Sequence, residues 1–298
     1  MEHQVKKRAV VIGGANMDIC GASAVSFLLR DSNPGAVSVH PGGVGRNIAH
    51  DLTLLGMDVS LVTALGGDVF GSALRESCTA LGMELSMTRV EPEMRSSTYL
   101  YITDDSGDMV AAVNDMGITE CITPEYLAPL MERINGYDAV VLDANLPEAA
   151  IAFLAERCTA PMYADTVSAA KAARLLPALK RLRAVKPNRM EAEVLTGESD
   201  PEKAAQRLLD AGVERVFISL GGAGLLAAER GKLLHLPAEH VEAVNCNGAG
   251  DAMTAAVVCG CTLGLSLEDT AALGLHAGAV TAASPETNAP GLRGIMNG

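Results

Sequence analysis

Apolar runs of strand length recur along the chain at Ala9–Ile12, Val59–Ala64, Ala139–Leu142, Met162–Ala164, Ala184–Lys186 and Val216–Leu220. Stretches with helical spacing of apolar positions, such as Arg46–Leu55 and Val69–Leu81, separate them. This alternation of strand and helix patterns predicts parallel strands joined by helical crossovers. The expected fold is one α/β domain over residues 1–298, a doubly wound, mainly parallel sheet flanked by helices on both faces. Ligands gather at the carboxyl ends of the strands in such sheets.

Two segments break the alternation: Cys20–His40, and Thr98–Thr103 with Asp108–Val113 around the turn Asp104-Asp105-Ser106-Gly107. The second reads as a β-hairpin. Insertions over roughly 16–40 and 95–115 would form a small β-sheet lid over the site, or a dimer contact. A hairpin on the edge of the main sheet fits the same pattern.

Composition narrows the function. With 298 residues and 49% hydrophobic content the chain can bury a large core. A net charge of −13 argues against a nucleic-acid partner, which needs clustered Lys and Arg, but permits a small anion bound locally. The absence of Trp and the presence of only four Phe argue against base-stacking platforms and a membrane belt. Seven cysteines form no C-x-x-C pair and suit reduced thiols, with Cys259 and Cys261 expected in the core and no structural zinc. Lys6-Lys7-Arg8 precedes an apolar run too short for a signal peptide, and no long apolar span follows, so the expected compartment is the cytoplasm, with no membrane partner.

The chemistry is concentrated in glycine-rich bends. Asn245-Cys246-Asn247-Gly248-Ala249-Gly250-Asp251 leads into a small-residue, helix-compatible stretch. A helix start leaves its first amide N–H groups unpaired, and its dipole favours negative oxygens there. Asp251 in that first turn can take a proton from a hydroxyl beside a bound phosphate. The plainer reading is a loop whose Asp caps a helix.

Earlier bends add possible ligand groups. Asn16 and Asp18 follow the first strand, where a carboxylate can accept hydrogen bonds from a polyol; Asp18 otherwise closes a turn. Gly42, Gly43 and Gly45 precede an amphipathic helix; Asn47 there suits ribose hydroxyls, while Arg46 serves an anion or, the preferred reading, a surface ion pair. Asn188 and Glu191, three apart at a helix start after Pro187, suit Mg²⁺ and phosphate held through water, or simply cap the helix. Ser219, Gly221 and Gly224, in a loop between two strands, can offer backbone N–H groups to a nucleotide or be an ordinary turn. Neither G-x-G-x-x-G nor G-x-x-x-x-G-K-[ST] is present, which speaks against a dinucleotide fold or a P-loop.

In this order the motifs resemble the ribokinase-like, or PfkB, family of sugar and nucleoside kinases. Gly42-Gly43 with Asn47 is similar to its sugar-side signature, Asn188-x-x-Glu191 to its metal and phosphate motif, and Gly248-Ala249-Gly250-Asp251 to its anion hole and catalytic base. Within the family the likeness is to pseudouridine kinases, carried by Ser32-Asn33-Pro34-Gly35, Pro41–Ala49, Asn114-Asp115-Met116, Asp165-Thr166-Val167-Ser168 and Thr287-Asn288-Ala289-Pro290. The resemblance implies transfer of the ATP γ-phosphoryl group to the 5′-hydroxyl of pseudouridine, with Asp251 as general base and Mg²⁺ held by Glu191 through water. It also implies Asp18, Gly43, Asn47 and Asn145 near ribose and a homodimer through the lid. Asn114, Asp115 or Asp165 would supply the acceptor for the extra N–H of pseudouridine.

The departures are Asn247 for the usual Thr, Asn245 for an Asp near a monovalent-cation site, which leaves that cation open, and Thr166 for a Pro, expected only to loosen a turn. Competing functions are a kinase for ribose, adenosine or another nucleoside, a non-catalytic nucleoside sensor and, more distantly, a nicotinamide-dependent dehydrogenase.

Overall fold

The computed structural model describes residues 6–297, so positions 1–5 and 298 of the expected 1–298 domain lie outside the described residues. The strands are β1 (Arg8–Ile12), β2 (Asn16–Ser23), β3 (Gly35–Gly42), β4 (Asp58–Val62), β5 (Ala64–Gly66), β6 (Arg89–Glu91), β7 (Thr98–Thr103), β8 (Met109–Asp115), β9 (Ala139–Asp143), β10 (Met162–Asp165), β11 (Leu182–Lys186), β12 (Arg215–Ser219), β13 (Leu225–Glu229) and β14 (Lys232–Leu236). The α-helices are α1 (Val44–Leu54), α2 (Val69–Ala80), α3 (Pro124–Leu127), α4 (Met131–Ile134), α5 (Glu148–Arg157), α6 (Ala169–Ala172), α7 (Arg189–Thr196), α8 (Pro201–Asp210), α9 (Ala249–Thr262) and α10 (Leu267–Ala282).

Eight strands form the large sheet in the order β14-β13-β12-β11-β10-β9-β1-β4. From β4 to β12 neighbours run parallel, with Ala9 of β1 beside both Val59 and Ala139. The last two pairings, β12 with β13 and β13 with β14, are antiparallel. Successive side chains point to opposite faces, and both faces are covered. Val10, Ile12, Val140, Leu142, Val216 and Ile218 face a core shared with α3, α5, α7 and α8. Val11, Val141, Tyr163 and Phe217 face α1, α9 and α10. Burying each such side chain contributes about 1.5–3 kcal/mol, which is why these runs are apolar at every position.

The apolar run Val59–Ala64 is not one strand. β4 ends at Val62, and β5 leaves to pair with β6 in a separate two-stranded sheet. The run stays buried across the break, so hydrophobicity alone could not mark it.

The Thr98–Asp115 hairpin does not sit on the edge of the main sheet. Strands β3-β2-β7-β8 form a second, smaller sheet, with β2 and β7 parallel at its centre and antiparallel strands outside.

Helix starts differ in how their amides are satisfied. Asp68, Asn188, Asp200 and Ser266 cap α2, α7, α8 and α10 with side-chain oxygens. By contrast α1 and α9 begin on Gly43 and Gly248, with no side-chain cap. Their first-turn N–H groups are left for something other than the helix itself.

Candidate active site

Strands β1, β9, β10 and β11 end side by side, and Asp143, Asp165 and Lys186 are the final residues of the last three. Across from them the turn at Gly248 starts α9. Gly248 has φ of 82°, a left-handed conformation that favours glycine, and the carbonyl of Thr287 occupies the space where its Cβ would stand. Lys186 Nζ lies 3.6 Å from the Cβ position of Gly250, so an ammonium faces the same turn as the free amides. The dipole of α9 adds to that positive field.

Asp251 occupies the first turn of α9 and is partly exposed. Asn47 Nδ2 donates to its Oδ2 over 2.9 Å. Burial first, and then repulsion from Asp165, push its carboxyl up to about 7; the Asn47 hydrogen bond and Lys186 act the other way, and Asp143 adds further repulsion. A carboxyl poised near neutrality accepts a proton effectively in that range.

Asp165 itself is sealed. It accepts from Thr254 Oγ1 at 2.5 Å and the Val167 amide at 2.8 Å, and pairs with Lys186 at 3.6 Å. The suggestion that it reads the edge of a nucleobase does not hold, because its oxygens are turned into the protein. Asp115 is exposed and absent from the wall of the cavity described next, whereas Asn114 lies on it.

A cavity of about 850 Å³ opens between these strand ends, α1, the Gly248 turn, the 285–288 loop and the inner face of the smaller sheet. Its wall includes Asp18, Gly43, Asn47, Asn114, Asn145 and Gly248 among the residues singled out from sequence. Asp18 accepts from Asn16 Nδ2 at 2.5 Å, and burial raises its pKa. Gly42 is buried and off the wall; the Asp18 carboxylate fills the space a Cβ there would need. Asn145 is locked by Asp143, to which its N–H and Nδ2 donate at 2.9 and 3.0 Å, and by Lys171 Nζ, which donates to its Oδ1 at 2.6 Å. Asp143 is fully buried and also accepts from the Gly14 amide at 2.8 Å. From the smaller sheet, Tyr99 and Tyr101 stack with ring centroids 5.5 Å apart and face the cavity beside His40 and Met109.

The other half of the site follows the next two strand ends. Asn188 and Glu191 form a reciprocal cap, Asn188 Oδ1 accepting from the Glu191 amide at 2.9 Å and Glu191 Oε2 from the Asn188 amide at 2.8 Å. Asn188 Nδ2 donates to Glu191 Oε1 at 2.8 Å. Thr166, expected only to loosen a turn, is fully buried and donates to Glu191 Oε2 at 2.5 Å. Glu191 therefore keeps one oxygen with a single donor, and its position is fixed from two elements. A bridge between Asn188 and Ser219 sets the 219–224 loop beside this cap. Gly221 there is exposed, while Gly224 is buried against the backbone at Leu236 and Ala238. None of Asn188, Glu191, Ser219, Gly221 and Gly224 lines the cavity, and neither does Asp251, which meets its wall through the hydrogen bond from Asn47.

Arg46 is not a surface residue. It is 6% exposed, donates to Asn47 Oδ1 at 3.2 Å and Asn288 Oδ1 at 2.8 Å, and lies on the cavity wall. Burial depresses its pKa. Lys171, Lys186, Asp143 and the Tyr99–Tyr101 pair were also missed. Asp143 had a legible signal, a charged side chain directly after a fully apolar run; Lys186 follows only Ala184 and Val185 after Arg183, and the others had no signal, since their meeting depends on distant chain segments.

The pfkB family carbohydrate kinase pattern matches residues 6–293. The chain is 37% identical to a pseudouridine kinase of Escherichia coli K12 over 260 residues, 84% of this chain and 82% of that one. A carbohydrate kinase from Agrobacterium tumefaciens superposes with a TM-score of 0.85 at 29% identity, covering 97% of this chain and 96% of the other. The fold is also that of an Arabidopsis thaliana ribokinase complexed with ribose and ATP, with a TM-score of 0.83, 20% identity and coverage of 97% and 96%. The chain belongs to the pfkB family of carbohydrate kinases and has the ribokinase-like fold. It is a phosphotransferase with an alcohol group as acceptor.

Proposed function

We propose that the protein transfers the γ-phosphoryl group of Mg²⁺-bound ATP to the 5′-hydroxyl of pseudouridine. The observation that carries this reading is the Asp251 carboxylate, which stands in the first turn of the uncapped α9 and accepts a hydrogen bond from Asn47 on the cavity wall. The nucleoside occupies the cavity, its ribose toward Asp18, Gly43 and Asn47 and its base toward Tyr99, Tyr101 and Asn114. Asp251 takes the hydroxyl proton as the oxygen attacks phosphorus. The amides of Gly248–Gly250 and the Lys186 ammonium stabilise charge on the transferring group, a role that positioning and electrostatics can fill without covalent chemistry.

The residues fit the nucleotide and its metal. Glu191 offers a carboxylate oxygen with capacity to spare for a Mg²⁺-bound water, and magnesium supplies charge neutralisation between the phosphates. The 219–224 loop lies next to that position. A monovalent cation at this turn would meet a neutral amide in place of a carboxylate: Asn245 Nδ2 donates to the Pro285 carbonyl at 3.2 Å and its Oδ1 accepts from the Asn247 amide. No carboxylate replaces it at that position.

The outer face of the smaller sheet presents Val37, Val39, Leu100 and Val113, with Val37 75% and Val113 65% exposed. We read it as a homodimer contact, and the smaller sheet as a lid. Seven cysteines, all unpaired, suit a reducing cytoplasm. No helix among the described residues is long and apolar enough to cross a membrane.

The assignment is tested by ADP release with Mg²⁺-ATP in potassium-free sodium buffer across pseudouridine, uridine, adenosine and ribose. Pseudouridine is expected to give the highest kcat/KM. Preference for ribose or adenosine would move the chain to another ribosyl substrate, and thermal stabilisation by nucleosides without ADP would make it a sensor.

A further inference from the structure

We propose that Arg46 and Asn288 are positioning residues that hold the Asn47 carboxamide in the orientation in which it donates to Asp251, tying placement of the base to the 285–288 loop. The inference rests on the reading of Asp251 as base and goes beyond it.

A continuous hydrogen-bond chain supports it. Asn288 Nδ2 donates to Asp51 Oδ1 at 2.8 Å and to the Asn47 carbonyl at 3.1 Å, which fixes its own Oδ1 toward Arg46. Arg46 Nη1 then donates to both Asn288 Oδ1 and Asn47 Oδ1, while Nη2 reaches Ser77 Oγ at 3.4 Å. A carboxamide has one accepting end and one donating end. With a guanidinium on its oxygen, Asn47 must turn its NH₂ outward, where it meets Asp251 Oδ2 at 2.9 Å. Flipping it would set NH₂ against guanidinium and carbonyl against carboxylate.

Burial makes the arrangement specific. Arg46 is 6% exposed and Asp51 0% exposed, so the guanidinium is retained in the interior and linked through Asn288 to the Asp51 carboxyl, whose pKa burial pushes well up. A planar fork serves three acceptors here; an ammonium on a flexible stem would not hold the same geometry. The 285–288 loop also packs on the anion-binding turn, since the Thr287 carbonyl fills the space beside Gly248 and Pro285 accepts from Asn245. One loop thus contacts the turn directly and reaches the base through Asn288, Arg46 and Asn47. Asp251 is otherwise faced by Asp143 from β9, Asp165 from β10 and Lys186 from β11, with Asp51 farther along α1.

The test compares Arg46→Lys, Asn288→Ala, Asn47→Ala and the Arg46→Lys/Asn47→Ala double variant by kcat, KM for each substrate and the pH dependence of kcat. Arg46→Lys and Asn288→Ala should each lower kcat about ten- to hundredfold with KM for ATP unchanged, because a small misplacement of a reacting group is that costly. The acid limb of kcat should move to higher pH, since the base loses the donor that favours its charged form. In the Asn47→Ala background Arg46→Lys should change neither quantity further. An acid limb left in place, or a full Arg46→Lys effect retained without Asn47, overturns the proposal. Should Arg46→Lys fail to fold, Asn288→Ala carries the same readouts. Retained turnover in Asp251→Asn would instead sink the base assignment itself, so the two failures are separable.

Discussion

The carboxyl edge of the large sheet and the inner face of the smaller sheet bound one cavity with opposite materials. On the edge, Asp143, Asp165 and Lys186 are buried, and the two carboxylates are held by several donors each. On the smaller sheet, Tyr99, Tyr101, His40 and Met109 are at least partly exposed, and the opposite face of that sheet is apolar and open. Buried, fully bonded groups keep their geometry, while half-exposed strands can shift with a ligand. On the proposed function, the reaction belongs to the edge and the choice of acceptor to the smaller sheet.

The sharpest way to break that division is Asp251→Asn. It should lower kcat by about two to four powers of ten while nucleoside and ATP still bind by calorimetry. It should also melt higher than the wild type at pH 8. The native carboxyl titrates near 7, above the unfolded value of about 4, so its charge opposes folding wherever it is ionised in the native state. That advantage is constant above about pH 7 and closes as the pH falls toward about 4. An Asn variant with normal kcat would dissolve the distinction between the two regions.

On the same edge, Thr166→Val removes a donor from Glu191 and should raise the Mg²⁺ concentration for half-maximal activity about tenfold, as loss of a group that orients a metal-binding residue does. Unchanged magnesium dependence would reduce Glu191 to a helix cap. On the smaller sheet, Tyr99→Ala should raise KM for the nucleoside about tenfold, the scale of one lost aromatic stack on a base, with kcat nearly kept. A kcat loss without a KM change would place chemistry on the wrong wall. The smallest effect on turnover is expected from Val37→Asp on the outer face: light scattering should show a dimer for the wild type and a monomer for the variant, with kcat unchanged.

The sequence was most informative where a motif and a fold position coincide. The buried strand runs and the glycine before α9 are local signals, and they put Asp251 in the first turn of that helix. The Asn188–Glu191 spacing is equally local, and its capping geometry follows from it. What sequence could not show was closure between distant segments. Arg46 reads as a surface charge until Asn288, 242 positions away, supplies its partner. Lys186 looks like the end of a strand until α9 brings Gly250 beside it. Thr166 reads as a lost proline until Glu191 folds back across it. The break at Thr63 stayed hidden because both sides of it are equally apolar and buried.

The central claim, that Asp251 removes the acceptor proton beside the start of α9, is met most directly by the pH dependence of kcat/KM for wild type and for the residual turnover of Asp251→Asn. The wild-type kcat/KM should rise as a single proton is lost with a midpoint near 7, and the variant should be flat through that range. The same ionisation persisting in the variant would contradict the account.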